Sequence, residues 1–391
     1  MGVNIESLRI GGCLKRLTEI KLFNSPLIDK SVSIKWPLNK DFLIVTGYNG
    51  SGKSRTVSHI FESLAALRDV EAGLAPLGWA SELTFEDISI RCIKKDYNGE
   101  RRSDLSGQVT EILNDAENID EMYRHISKML EPSKHYPGIK TKETGVTNGF
   151  ACLGVTAQSD EDRERFVSGC EAVTFIEDKI YFSFDKKVSD SVFDGPGRID
   201  QTLYSLFYEF VLSQAVQGSA RDKVFSLFME YKNSVDDFDE EKARAYVASK
   251  FGPEEMFEND SLFESSEVFQ ELNKFYDLTG RKLIWRDKHA ALQFPDGRTV
   301  PWVLFSKGEK AIVAVLLMAY LYREQSIFIF DEPDLSLHME WQKMLLPALK
   351  RLAPNSQFII TTHSPFMVMN TDSEHVINMA KIQKEAFNAQ R

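Results

Sequence analysis

The chain is short of cysteine, of positive charge and of long apolar runs, and each shortage narrows what it can do. Its four cysteines, Cys13, Cys92, Cys152 and Cys170, are scattered over 391 residues with no C-x-x-C pair and no histidines at metal-ligand spacing. That argues against a zinc site or a disulfide framework and for the reduced thiols of a cytoplasmic protein. Lys and Arg number 47 against 58 Asp and Glu, a formal charge of -11, which excludes a generic polyanion-binding coat. The longest apolar stretch, residues 311–322, has 12 residues, where about 20 are needed to span a bilayer. It reads as a buried helix. Residues 1–16 carry no continuous apolar segment before a small-residue cleavage site, so no secretory leader is expected. No heptad persists over several turns, which excludes a long coiled-coil arm. What remains, 43% hydrophobic and 27% charged, is the composition of a globular chain with one large domain or two unequal ones.

Three short runs rich in β-branched and aromatic residues, 18–23, 31–36 and 42–45, predict strands. The third ends in Gly47-Tyr48-Asn49-Gly50-Ser51-Gly52-Lys53-Ser54, after which Val57, Ile60, Phe61, Leu64 and Leu67 recur at helical spacing. Near the other end, residues 326–330 and 357–360 are continuous apolar runs, as in parallel strands covered on both faces. Helices are predicted at 310–322 and 340–352. From Ser54 to Ser306 the sequence distance is 252 residues, too long for a loop. This middle part reads as mainly helical, with apolar residues at three- and four-residue steps in 109–130, 201–214, 222–231 and 262–276. Strands are predicted within it at 172–175 and 180–184, and a hairpin at 290–294 and 299–304 turning on Pro295-Asp296-Gly297-Arg298. Residues 235–267 hold eleven acids against three bases and read as a solvated face or mobile loop, the sharper alternative being a docking surface for a basic partner. Lys94, Lys95, Arg101 and Arg102 form a small basic cluster that could meet phosphate.

Four segments carry chemistry. The glycine loop fits G-x-x-x-x-G-K-[ST], in which small residues let backbone N–H groups converge on phosphate oxygens at a helix N-terminus. Gly47, Asn49, Gly50, Ser51, Gly52, Lys53, Ser54 and Arg55 are the candidate nucleotide-holding residues. Lys53 would bridge the β- and γ-phosphates of ATP, and the Ser54 hydroxyl would ligate Mg2+. Asp331, ending an apolar run, fits the second metal-holding group. Glu332 beside it is placed to polarise an attacking water. Ser306-Lys307-Gly308-Glu309-Lys310 opens a long apolar helix and offers a second anion site at its N-terminus. His363, in Thr361-Thr362-His363-Ser364-Pro365, follows an apolar strand at the carboxyl edge of the sheet, where it could hydrogen-bond a γ-phosphate.

Together these segments, with Ile329-Phe330-Asp331-Glu332-Pro333-Asp334-Leu335-Ser336-Leu337-His338, resemble an ABC-class ATPase. More narrowly they are similar to the SMC, RecF and OLD branch, including bacterial anti-phage ATPases of the Septu and PARIS type. The resemblance implies an α/β fold: an ABC-type P-loop ATPase head with a mainly helical insertion between the glycine loop (Walker A) and the signature. The expected boundaries are 1–100, 101–280 and 281–391. It further implies that Ser306, Gly308 and Glu309 act on ATP held by a second copy, with Asp334 between the sites, so that the working unit is a head-to-tail homodimer or higher homo-oligomer. Lys307 and Glu309 depart from the transporter form of the signature. Only 28 residues follow His363, too few for a further catalytic domain, so a partner effector, expected to be a nuclease, would be supplied in trans. The competing expectation is a DNA-clamping repair ATPase, which the negative charge disfavours. No membrane association is expected.

Overall fold

The computed structural model describes residues 15–24, 31–36, 40–68, 78–96, 149–184, 198–217, 263–286, 289–325, 327–369 and 375–388, nearly all of 111–129, and single positions within 70–75 and 227–250. The chain divides into two units: Met1–Lys186 with Glu324–Leu335 and Asn355–Arg391, and Lys187–Arg323 with Ser336–Pro354.

The first unit is built on two sheets. One has five strands in the order β2-β1-β4-β5-β6, all antiparallel: β1 (Leu17–Asn24), β2 (Val32–Lys35), β4 (Trp79–Phe85), β5 (Ile88–Asp96) and β6 (Gly149–Thr156). The other has six, ordered β14-β3-β13-β12-β7-β8: β3 (Phe42–Thr46), β7 (Ala172–Ile176), β8 (Lys179–Phe182), β12 (Ile327–Asp331), β13 (Gln357–Thr361) and β14 (Val376–Asn378). Its strands pair in parallel except for the β7–β8 hairpin. The apolar runs explain the placement of the centre: Phe328, Ile329, Phe330, Phe358, Ile359 and Ile360 are all fully buried. Stacked rings at 5.3 Å tie Phe328 to Phe358.

Helix α1 (Lys53–Ala65) lies between these sheets. Eleven of its thirteen residues are buried. Val57, Ile60, Phe61 and Leu64 share one core with Leu43, Val45, Ile329 and Ile359 of the six-stranded sheet and with Ile20, Leu83, Ile88 and Ile90 of the other. Among the helix's buried polar residues, Ser63 is bonded to the His59 carbonyl and Glu62 to Lys94 inside this layer, and truncating an apolar residue such as Phe61 in that position costs about 3–5 kcal/mol. Smaller helices, α2 (Ile119–Met129) and α3 (Asp160–Gly169), complete this part, with α8 (Pro365–Met369) and α9 (Met379–Asn388) after β13 and β14.

The second unit is helical around one small sheet. Among the described residues its complete helices are α4 (Arg198–Gln217), α5 (Glu267–Asp277), α6 (Lys307–Leu321) and α7 (Met339–Leu352), and its sheet is β11 (Thr299–Pro301), β10 (His289–Gln293) and β9 (Lys282–Arg286) in that order. Aromatic rings fill the interior: Phe263 stacks on Trp285 at 4.3 Å and Phe210 on Phe269 at 5.5 Å. The ring nitrogen of Trp341 donates to the Phe275 carbonyl at 2.9 Å. Residues Ala311 to Tyr320 of α6 are all buried, which is what its unbroken apolar sequence requires. No helix among the described residues is long and apolar enough to cross a membrane.

The α/β class agrees with the sequence reading, but the insertion differs from the expected 101–280. Residues 149–156, 172–176 and 179–182 are strands of the first unit's sheets, which extends to Lys186. The cause is burial on both faces: every residue of Ala172–Ile176 is buried, and the strand pairs in parallel with β12, whose Ile327 lies opposite Ala172. A partner 155 residues away in sequence leaves no local signal. Helix α6 begins at Lys307, three residues before the expected start, because Ser306 caps it. The predicted helix at 222–231 and the acidic stretch 235–267 lie largely outside the described residues. So do Arg101, Arg102 and the Lys95 side chain. Lys94 is not available to a polyanion as the basic cluster supposed, since its ammonium pairs with Glu62 at 2.7 Å.

Candidate nucleotide site

Strands β3, β13 and β12 run parallel with Val45 opposite Thr361 and Asp331 opposite Thr361. All three therefore release the chain at the same edge, where open α/β sheets collect ligands. From β3 the chain enters the glycine loop, whose Gly47, Gly50 and Gly52 have φ of +146°, +80° and +85°. Gly52 is the decisive one: it caps α1 in the left-handed conformation and its carbonyl accepts from the Thr56 N–H at 2.8 Å, so Lys53 opens the helix. Asn49 and Gly50 are exposed, Arg55 is half-buried and Ser51 is buried. The N-terminus of α1 thus faces this edge with the partial positive charge of its free N–H groups.

Lys53 is only 4% exposed, yet it is central to a polar cluster. Its Nζ lies 2.6 Å from His363 Nε2, 3.3 Å from the Gly47 carbonyl and 3.8 Å from Glu332 Oε1. Glu332 Oε1 is in turn 3.2 Å from His363 Nε2. Cation, imidazole and carboxylate form a triangle. One ring nitrogen can accept from Lys53 or donate to Glu332, but not both at once, so the imidazole tautomer selects which partner it serves.

Glu332 sits at φ +50°, in the left-handed region that a residue with a side chain enters at a cost of about 1–3 kcal/mol. Two bonds hold it there: its N–H donates to Thr361 Oγ1 at 2.9 Å and to the Thr361 carbonyl at 3.2 Å. The Thr361 hydroxyl donates to Asp331 Oδ1 at 2.5 Å. Burial lifts the Asp331 carboxyl above its usual range, and hydrogen bonds from Thr361 and Ser54 act against that rise. Asp334 is buried too, and accepts from Thr362 Oγ1 at 2.6 Å. Burial likewise raises its carboxyl, with the Thr362 hydrogen bond opposing. Ser54 and Asp331, a hydroxyl and a carboxylate on one edge, are the hard oxygen donors that suit Mg2+. Among the described residues no group of three or more His, Cys, Asp or Glu side chains could hold a metal, so such an ion would depend on oxygens brought by phosphate and water.

The signature segment belongs to the second unit. Ser306 caps α6: its Oγ accepts from the Glu309 N–H at 3.4 Å, and the Glu309 carboxylate accepts from the Ser306 N–H at 2.7 Å. This reciprocal pair is a capping box. Glu309 also pairs with Arg281. Its carboxylate is turned onto its own chain, which differs from the nucleotide contact expected of it, and the sequence pattern Ser-x-x-Glu was the available signal. Gly308 is required by space, because a Cβ there would lie 2.3 Å from the Ser336 carbonyl oxygen.

The expected residues of the first unit, Lys53, Asp331, Glu332 and His363, are therefore brought together around Thr361, and Asp334 is anchored next to them by Thr362. The two threonines carried no separate role in the sequence reading. A signal existed, since hydroxyl residues directly after a buried apolar strand must find partners.

A protein-family profile described as "AAA domain, putative AbiEii toxin, Type IV TA system" matches residues 204–369. The chain is 25% identical over 387 residues to "Retron Vc95 probable ATPase" of Vibrio cholerae, covering 92% of this chain and 73% of that protein. It is 43% identical over 44 residues to "Septu protein PtuA" of Bacillus thuringiensis, covering 11% of each. Among solved structures, the SMC head domain from Thermotoga maritima matches with a TM-score of 0.42 and 16% identity, covering 91% of this chain and 92% of that one.

Proposed function

We propose that this chain, a P-loop ATPase of the ABC class, serves a bacterial anti-phage defence module as its nucleotide-driven switch. In this reading two copies close around ATP, and closure holds or releases a partner effector. The observation that carries the reading is the joint placement of Lys53, Asp331, Glu332 and His363 at one sheet edge, with Lys53 and Glu332 both within 4 Å of the same imidazole. The retron and Septu proteins it resembles support the defence setting.

Each residue then has a task that follows from its chemistry. The glycine loop and the start of α1 would bind the phosphates, and the buried Lys53 would neutralise them, an interaction strengthened by the low local dielectric. Ser54 and Asp331 would hold Mg2+, which when bound supplies further charge neutralisation at the phosphate oxygens. Glu332, held in a strained backbone conformation, would accept a proton from the attacking water. His363 would donate to the γ-phosphate. Ser306 and the free N–H groups at the start of α6 would meet the phosphate of the opposite copy. One chain carries one glycine loop and one copy of the Ser306–Lys310 segment, so a pair of chains supplies two complete sets.

Glu332→Gln keeps the size of the side chain and removes the base. The purified variant should bind ATP with Mg2+ and run as a stable dimer in size-exclusion chromatography with light scattering, while wild type returns to its resting state as ATP is consumed. A variant that stays monomeric at saturating Mg-ATP would refute the dimer. ATPase rates measured with and without duplex DNA over a salt series test the competing clamp reading, because a DNA-stimulated, salt-sensitive rate would favour it over effector control.

A further inference from the structure

Three consecutive residues at the end of β13 address three acids at the end of β12. Thr361 bonds Asp331, Thr362 bonds Asp334, and the ring of His363 approaches Glu332. The two threonines are fully buried. Neither hydroxyl is needed for the strand itself, since valine has the same shape and equal or better preference for a buried strand. A buried hydroxyl is costly unless it is bonded. Both hydroxyls are used twice: Thr361 donates to Asp331 at 2.5 Å and accepts from the Glu332 N–H at 2.9 Å, and Thr362 donates to Asp334 at 2.6 Å and accepts from the Ser364 N–H at 2.8 Å.

We propose that Thr361 is a positioning residue of the ATPase site, its one hydroxyl fixing both the carboxylate of Asp331 for the metal and the backbone of Glu332 for the water. Donation to Oδ1 settles the rotation of the Asp331 carboxylate and leaves Oδ2 as its other acceptor. Acceptance from the Glu332 N–H stabilises the φ +50° backbone from which that side chain reaches Lys53 and His363. The metal-holding group and the water-activating group are thus set by the same oxygen, and an error in one is an error in both. Thr362 performs the equivalent service for Asp334 and is outside this coupling.

The inference rests on the roles given above to Asp331 and Glu332, and the test separates the two. In a Glu332→Gln background, where hydrolysis does not interfere, binding of N-methylanthraniloyl-ATP is measured by fluorescence with Mg2+ and with EDTA. The gain in affinity on adding Mg2+ is the readout. Thr361→Val should reduce that gain by about tenfold or more, the usual effect of removing a partner that orients a metal ligand. Thr361→Ser, which retains the hydroxyl, should restore it to within about threefold, and Thr362→Val should retain it. In the wild-type background Thr361→Val should also lower kcat while leaving KM for ATP at saturating Mg2+ nearly unchanged. A folded Thr361→Val protein with the full Mg2+ gain would overturn the proposal, as would a Thr362→Val protein that lost it equally. Should Thr361→Val fail to fold by circular dichroism, Thr361→Cys, with similar volume and a weak donor, is read in its place against the same criteria. Asp331→Asn distinguishes the levels: if it keeps the full Mg2+ gain, the assignment of Asp331 itself is refuted, whatever Thr361 does.

Discussion

Acid should weaken this protein through one histidine that has no part in the proposed chemistry. His59 lies in the middle of α1, 1% exposed, stacked on Trp79 with ring centroids 4.9 Å apart and planes 18° from parallel. Its Nε2 has no hydrogen-bond partner among the described residues. Burial, assisted by the charges of Arg55 and Lys94, pushes its pKa down to about 3 from an ordinary 6.5. The sign follows from proton counting. Above pH 6.5 the ring is neutral in both the folded and unfolded chain, and the residue adds no penalty. Between 6.5 and about 3 the unfolded chain takes up a proton that the folded chain refuses, so stability falls as pH falls, by about 1.4 kcal/mol per unit once well below 6.5. Moving from pH 7 to pH 5 should thus cost about 2 kcal/mol through His59 alone.

The assay is urea unfolding at the two pH values for wild type and for His59→Phe, which keeps a ring against Trp79 and cannot titrate. All other titrating groups are common to both proteins, so the difference between their pH dependences isolates this ring. The variant should lose about 2 kcal/mol less than wild type between pH 7 and pH 5. Equal losses in the two proteins would refute the reasoning. Because α1 carries Lys53 and the N–H groups of the glycine loop, the same shift should accompany a loss of nucleotide binding at low pH in wild type that the variant resists.

Three further outcomes follow from the geometry. Lys53→Ala removes the buried cation and should weaken ATP binding by at least about tenfold, as a lost charge-assisted contact does, while Glu332→Gln retains binding and loses turnover; equal hydrolysis rates in wild type and both variants would refute these roles. Gly308→Ala places a Cβ 2.3 Å from the Ser336 carbonyl oxygen, and the enforced shift should lower stability by about 1–3 kcal/mol in denaturant unfolding; an unchanged midpoint would show that the close approach is not maintained. Arg281→Met should leave the buried Glu309 without its cation and loosen the capping box, costing about 1 kcal/mol with a drop in ATPase rate at constant ATP affinity; a rate equal to wild type would remove any role for this pair in setting Ser306.

The sequence disclosed which residues gather at one sheet edge better than it disclosed the architecture, and the reason lies in the range of the forces involved. The grouping of Lys53, Asp331, Glu332 and His363 was legible because a glycine loop, a cation and a helix start form one contiguous stretch, and because each acid or imidazole lies at or just past the end of an apolar strand. The capping box of Ser306 and Glu309 was written in a four-residue pattern, but that pattern competes with an anion-binding reading of the same two residues, and the contacts with the Ser306 N–H and Arg281 show where the carboxylate is engaged. Strand β7 was legible as a strand and not as a member of the central sheet, since Ala172 and Ile327 meet through hydrogen bonds between backbones, which carry no residue code. Thr361 is the instructive case. Its identity matters through an oxygen shared between Asp331 and Glu332, thirty residues earlier, and the pairing exists only because β12 and β13 lie side by side in a register that places Asp331 opposite Thr361. Shifting that register by one residue would turn every side chain of the strand to the other face, and the hydroxyl would leave both acids together. The register of the buried core, set by Phe328 against Phe358 and Ile329 against Ile359, is therefore what aligns the residues of the candidate site.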